Sequence, residues 1–90
     1  MIERVLLVKN KAGIHARPAA LITQVATKFK CEVYIKKEEI AGWMNGKSLL
    51  GILSLEVFQG DRVILRCEGE DEREAMKSIA RLFGKRFNED

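Results

Sequence analysis

Two stretches of this chain carry apolar residues at every second position and three others carry them at helical spacing, so it has to lay helices against a sheet. Cys31, Val33 and Ile35 alternate with Glu32, Tyr34 and Lys36, and Val63, Leu65 and Cys67 alternate with Arg62, Ile64 and Arg66. A period of two is that of a strand with one buried face. Val5 to Val8 is a short apolar run of strand composition, ended by the loop residues Asn10, Lys11, Ala12 and Gly13. Lys36 to Glu39 turns the chain into a further strand over Ile40 to Met44, which Asn45 and Gly46 close.

Between these strands the spacing changes. Leu21, Ile22, Val25, Ala26 and Phe29 predict a helix from Ala16 to Phe29, with Pro18 in the first turn, where a missing N–H costs nothing. Ser48 stands before Leu49, Leu50, Ile52 and Leu53 as the N-cap of a short second helix. Asp71 and Glu74 have capping-box spacing ahead of Met76, Ile79, Ala80, Phe83 and Phe87, and Gly84 weakens that last helix without ending it. The order β-α-β-β-α-β-α gives a two-layer α+β domain, residues 1–90, with helices on one face of an antiparallel sheet.

Composition excludes several functions. The 90 residues are 47% hydrophobic and 32% charged, the balance of a globular domain, and no run nears the roughly 20 apolar residues that span a membrane. Met1 to Val8 lacks the features of a secretory signal, which predicts a soluble, cytoplasmic protein without membrane insertion. Cys31 and Cys67 read as reduced thiols, and with one histidine and no ligand cluster a metal site is not expected. The net charge of +3 is dispersed among 13 acidic residues, and Tyr34 and Trp43 are too few aromatics for stacking bases, so nucleic acid is not the expected partner.

His15 stands where a glycine-containing loop meets the start of the first helix. Unpaired first-turn amides, including that of Ala16, and the positive end of the helix dipole favour an anion there and disfavour a charged ring. Arg17 adds a cation able to hydrogen-bond phosphate oxygens, and Gly13 lets the backbone come close. Local chemistry alone also suits a capping or surface histidine. The whole string NKAGIHARPAA, Asn10 to Ala20, however, closely resembles the active-site segment of the HPr family, the histidine-containing phosphocarriers of bacterial phosphotransferase systems. That resemblance implies an open-faced sandwich with sheet order 1-4-2-3, which would bring Cys31 and Cys67 near each other, unbonded. It also implies that His15 accepts a phosphoryl group from enzyme I, with phosphoenolpyruvate as ultimate donor, and that Arg17 is its electrostatic partner. Ala16 and Arg17 then hold the phosphate, no cofactor is needed, and the protein is a stoichiometric carrier rather than an enzyme.

A second segment, NGKSLLGILSL from Asn45 to Leu55, resembles the family's regulatory serine and the helix after it. By resemblance Ser48 is the target of an HPr kinase/phosphorylase, with a transcription regulator as a further partner; N-capping alone also explains a serine here. Leu49, Leu50 and Ile52 are the expected contacts for enzyme I and for the EIIA-type domains that receive the phosphoryl group, and a monomer is expected. The chain departs from the family pattern at Ala12, where many members carry serine or threonine, and in a longer Lys36–Asn45 turn and strand. The nitrogen-related paralogue, whose acidic tail Phe87–Asp90 resembles, and a serine-phosphorylated regulatory module are the alternatives.

Overall fold

Burial alternates along the central strand as the two-residue period requires. In the computed structural model, which describes residues 1–89, the elements are β1 (Ile2–Leu7), α1 (Ala16–Ala26), β2 (Glu32–Lys37), β3 (Met44–Asn45), α2 (Leu49–Leu53), β4 (Arg62–Glu68) and α3 (Glu72–Gly84). The sheet is antiparallel with order β1-β4-β2-β3. β4 therefore lies between β1, where Ile2 faces Cys67 and Leu7 faces Arg62, and β2, where Glu32 faces Glu68 and Lys37 faces Val63.

Val63, Leu65 and Cys67 of β4 are fully buried against Val33 and Ile35 of β2 and against Ile22 of α1 and Ile79 of α3. Burying one such aliphatic side chain stabilises by about 1.5–3 kcal/mol, and a one-residue slip would exchange all three for Arg62, Ile64 and Arg66. That penalty sets the register. The other face of the sheet is open to solvent. There Arg66 Nε donates to Glu3 Oε2 at 2.6 Å, and the Arg66 guanidinium lies 4.2 Å from the centre of the Trp43 ring.

Several elements are shorter than their patterns predict. α1 stops at Ala26, with Thr27 as C-cap, although Phe29 still packs against the core. The third strand is only Met44–Asn45, since Ile40 is exposed in the turn and has no core to face. Asp71 is the N-cap of α3 but does not close a capping box: its carboxylate accepts instead from the amides of Lys30 and Cys31, both at 2.9 Å. Those two bonds, the Lys30 amide foremost, hold the Asp71 carboxyl below its ordinary pKa. A separate bond closes the preceding turn, where Glu72 Oε1 accepts from the Gly69 amide at 2.9 Å.

α3 ends at Gly84, and Phe87 reaches the core by another route. Arg86, Phe87 and Asn88 have φ of 54°, 55° and 59°, a left-handed turn without a glycine. Such a conformation costs about 1–2 kcal/mol per residue. Full burial of the Phe87 ring, edge-on to Phe83 with centroids 4.9 Å apart, offsets it. Cys31 and Cys67 are both free and buried. Burial, with lesser contributions from the neighbouring Cys31 thiol, pushes the Cys67 thiol up to about 12.

Candidate functional site

The loop that carries His15 is sewn to the segment between α2 and β4. Val8 donates to the Asp61 carbonyl at 3.0 Å, Gly60 donates to the Val8 carbonyl at 2.8 Å, and Ile14 donates to the Val57 carbonyl at 3.0 Å. Gly13 has φ +70°, and a Cβ there would lie 2.5 Å from the Val57 oxygen and 2.8 Å from the Phe58 Cα. Glycine is thus required both by conformation and by space. Ile14 fills the core next to it, and His15, at φ −90° and ψ −163°, is the N-cap of α1. Its side chain makes no cap bond, so the ring is free to face outward.

The His15 side chain is 43% exposed, and its Nε2 lies 3.0 and 3.2 Å from the two carboxylate oxygens of Glu89. Arg17 NH1 donates to the Phe87 carbonyl at 2.9 Å and lies 3.4 Å from Glu89 Oε2, the oxygen nearest Nε2. Asn10, fully buried, donates from Nδ2 to the Gly13 carbonyl at 2.8 Å and to Glu89 Oε1 at 3.0 Å. The Asn10 amide, followed by His15 and Arg17, holds the Glu89 carboxyl below its usual range against the opposing effect of partial burial. Glu89 is therefore an anion at neutral pH, and it sits where the N-terminal end of α1 and Arg17 favour negative charge.

His15, Ala16 and Arg17 thus come together at the start of α1, as their adjacency dictates. The second group does not hold together. Ser48 is the N-cap of α2, its Oγ accepting from the Gly51 amide at 3.1 Å. Leu49 and Leu50 are exposed, at 40% and 78%, but Ile52 is fully buried beneath them and has no surface to offer a partner. On a five-residue helix the third apolar side chain faces the core, so the expected contact surface narrows to Leu49 and Leu50. Phe58, 64% exposed beside Gly13, extends the apolar surface and was not singled out by any spacing pattern. Asn10 and Glu89 were also missed. Asn10 reads as a loop residue, and Glu89 reaches His15 across 74 positions of sequence.

A sequence model described as "PTS HPr component phosphorylation site" matches residues 2–85. The chain belongs to the HPr family. The phosphocarrier protein HPr of Xylella fastidiosa strain 9a5c is 40% identical over 92 residues, covering all of this chain and 99% of that protein. The crystal structure of HPr-C-His from Thermoanaerobacter tengcongensis superposes with a TM-score of 0.92 at 44% identity, over 100% of this HPr-family chain and 99% of that one. The HPr-like protein Crh of Bacillus subtilis is 40% identical over 80 residues, 89% of this chain and 92% of Crh, and one crystal structure of Crh is described as a swapped, intertwined dimer. The open sheet with order 1-4-2-3 is the family's fold, as the resemblance implied. Among the described residues, no helix is long and apolar enough to cross a membrane.

Proposed function

We propose that this HPr-family phosphocarrier accepts a phosphoryl group on His15 from phosphorylated enzyme I and hands it to EIIA-type domains, acting as a stoichiometric carrier without a cofactor. The observation that carries the reading is an exposed imidazole at the first turn of α1, with Arg17 converging on the same point. A ring nitrogen lone pair forms the bond to phosphorus as the donor's bond to phosphorus breaks, its electron pair remaining with the donor. The amides of Ala16 and Arg17 and the Arg17 guanidinium favour the phosphate oxygens, and the reverse step delivers the group to the acceptor. The proposed working unit is the monomer, with self-association of the kind described for a dimeric HPr of Thermoanaerobacter tengcongensis and for Crh as the alternative.

Leu49 and Leu50 are the proposed docking contacts, and Ser48 beside them the regulatory phosphorylation site, read by an HPr kinase/phosphorylase and a transcription regulator. A purely regulatory protein is the second reading, favoured by the similarity to Crh. Labelling from phosphoenolpyruvate in the presence of enzyme I tests the proposal. Wild-type protein should take up acid-labile phosphate and His15→Ala none. Equal labelling of that variant would remove His15 as the acceptor, and absence of labelling in the wild type would favour the regulatory reading.

A further inference from the structure

We propose that the free edge of β1, with the groove between it and α3, docks an extended acidic segment of a partner protein as an added strand of the sheet. The proposal stands apart from the carrier reading and uses none of its residues. β1 is an outermost strand, and its six residues make a long edge, whereas β3 at the opposite edge has two. The bonds just beyond its end show which backbone groups it presents. Val8 donates to the Asp61 carbonyl and accepts from the Gly60 amide, so both of its groups turn toward the β4 side. That direction alternates in an antiparallel ladder, so Ile2, Arg4 and Leu6 also bond to β4, while Glu3, Val5 and Leu7 aim their amides and carbonyls at the free edge. The bond from the Gly46 amide to the Val33 carbonyl, on the far side of β2, requires the same phase.

Beside that edge runs a groove of about 260 Å³, with Arg4, Leu6 and Lys9 on the strand side and Ala80, Phe83 and Gly84 on the helix side. Strand and helix are tied at one end by the bridge of 3.0 Å from the Met1 amino group to Glu72 Oε2. At the other end a Cβ on Gly84 would meet nothing within 4 Å, so the groove is open there. Arg73, Lys77, Ala80 and Gly84 follow the i, i+4, i+7, i+11 pattern of one helix stripe, which puts two further cations along the helix wall. Arg4, Lys9, Arg73 and Lys77 are all exposed. Among the described residues, Arg4, Lys9 and Lys77 form no ion pair. An apolar floor rimmed by unpaired cations is complementary to carboxylates carried on short apolar stems.

A strand added to this edge would point successive side chains to opposite faces. Those on the helix side enter the groove between Arg4 and Lys77, where glutamate fits. Those on the open side lie beside Val5 and Leu7, each nearly half exposed, where valine fits. Main-chain bonds to Glu3, Val5 and Leu7 supply the affinity and the alternation supplies the choice of sequence. A second copy of this chain is the poorer occupant, because pairing the same edges would bring two sets of these cations together.

The probe is a short capped peptide of alternating glutamate and valine, titrated into the full chain while backbone amides are followed by nuclear magnetic resonance; a lysine and valine peptide is its control. The acidic peptide should shift the amides of Glu3, Val5, Leu7 and residues 80–84 saturably, with a dissociation constant below about 1 mM, and the basic one should not. Reversing two exposed charges together, Arg4→Glu and Lys77→Glu, should weaken binding by at least about tenfold, and salt near 1 M should do the same. Val5→Pro removes one outward N–H at a position where an edge strand tolerates proline, and should weaken binding by about five- to tenfold with every cation in place. No shift of these amides at about 1 mM acidic peptide would overturn the proposal and leave Arg4 as a guard against strand pairing. Equal binding of the basic peptide, or unchanged affinity in the charge-reversed variant, would overturn it as well. Self-association that Val5→Pro abolishes, without peptide binding, would give the edge to a second copy instead. The titration needs no phosphoryl donor, so its failure is distinct from failure of the carrier reading.

Discussion

Replacing Gly13 by alanine separates two costs that the fold places on the active-site loop. At φ +70° any L residue is strained, by about 1–2 kcal/mol. The new Cβ would also meet the Val57 carbonyl oxygen at 2.5 Å and the Phe58 Cα at 2.8 Å, both backbone atoms that cannot swing away. Overpacking of this kind adds about 1–3 kcal/mol. Relief by moving the loop outward would stretch the bond of 3.0 Å from the Ile14 amide to the same Val57 oxygen. Gly60 supplies the control, since at φ +91° it carries the conformational cost while a Cβ there meets nothing within 4 Å. Gly13→Ala should therefore be destabilised by about 2–5 kcal/mol and Gly60→Ala by about 1–2 kcal/mol. In a domain of this size each kcal/mol shifts the melting temperature by about 4–8 °C, so a difference of about 2 kcal/mol separates the variants by roughly 8–16 °C. Melting followed by circular dichroism measures it. Equal melting temperatures for the two variants would refute the steric half of the reasoning.

Ser48→Ala should lose about 1 kcal/mol in urea titrations because the Gly51 amide loses its 3.1 Å acceptor, while Ser48→Asp keeps a capping oxygen and should stay near wild type. If the adjacent leucines dock enzyme I, the aspartate should slow phosphorylation and the alanine should not; equal kinetics for all three would confine Ser48 to capping. Cys67, raised to about 12 when folded, ionises near 8.5 in an unfolded chain. Its contribution to stability is therefore complete below about pH 8.5 and is lost as pH rises toward 12. Cys67→Ala should show a shallower alkaline decline in unfolding free energy, and identical slopes would contradict the burial argument.

What could be read before folding and what could not divide by the range of the interactions. β2, β4 and the core face of α1 follow from periodicity, because burial on one face is a local consequence of geometry. Ser48 capping a short helix, and His15 beside Arg17 at a helix start, are relations between near neighbours that motif and spacing capture. The failures are non-local. Asp71 had the spacing of a capping box, but the amides of Lys30 and Cys31, 41 and 40 residues away, took its carboxylate instead. Phe87 kept a helical interval from Phe83, yet it arrives in the core through a left-handed turn that, of its three residues, only Asn88 favours by type. Glu89 could be brought to His15 only once that turn existed. Ile52 was misplaced for a simpler reason, in that a short helix has too few residues for its pattern to show which side faces in.

The placement of Trp43 gives the molecule an optical division of labour. It is the only tryptophan, and it lies on the open side of the sheet under the Arg66 guanidinium, away from the helices that carry His15. Its emission therefore follows the β2, β3 and β4 strands and is insensitive to detachment of the segment that carries Glu89. Ring signals of His15 follow that segment. Monitored together during denaturation, the two distinguish a chain that has released its carboxylate from one that has lost its sheet.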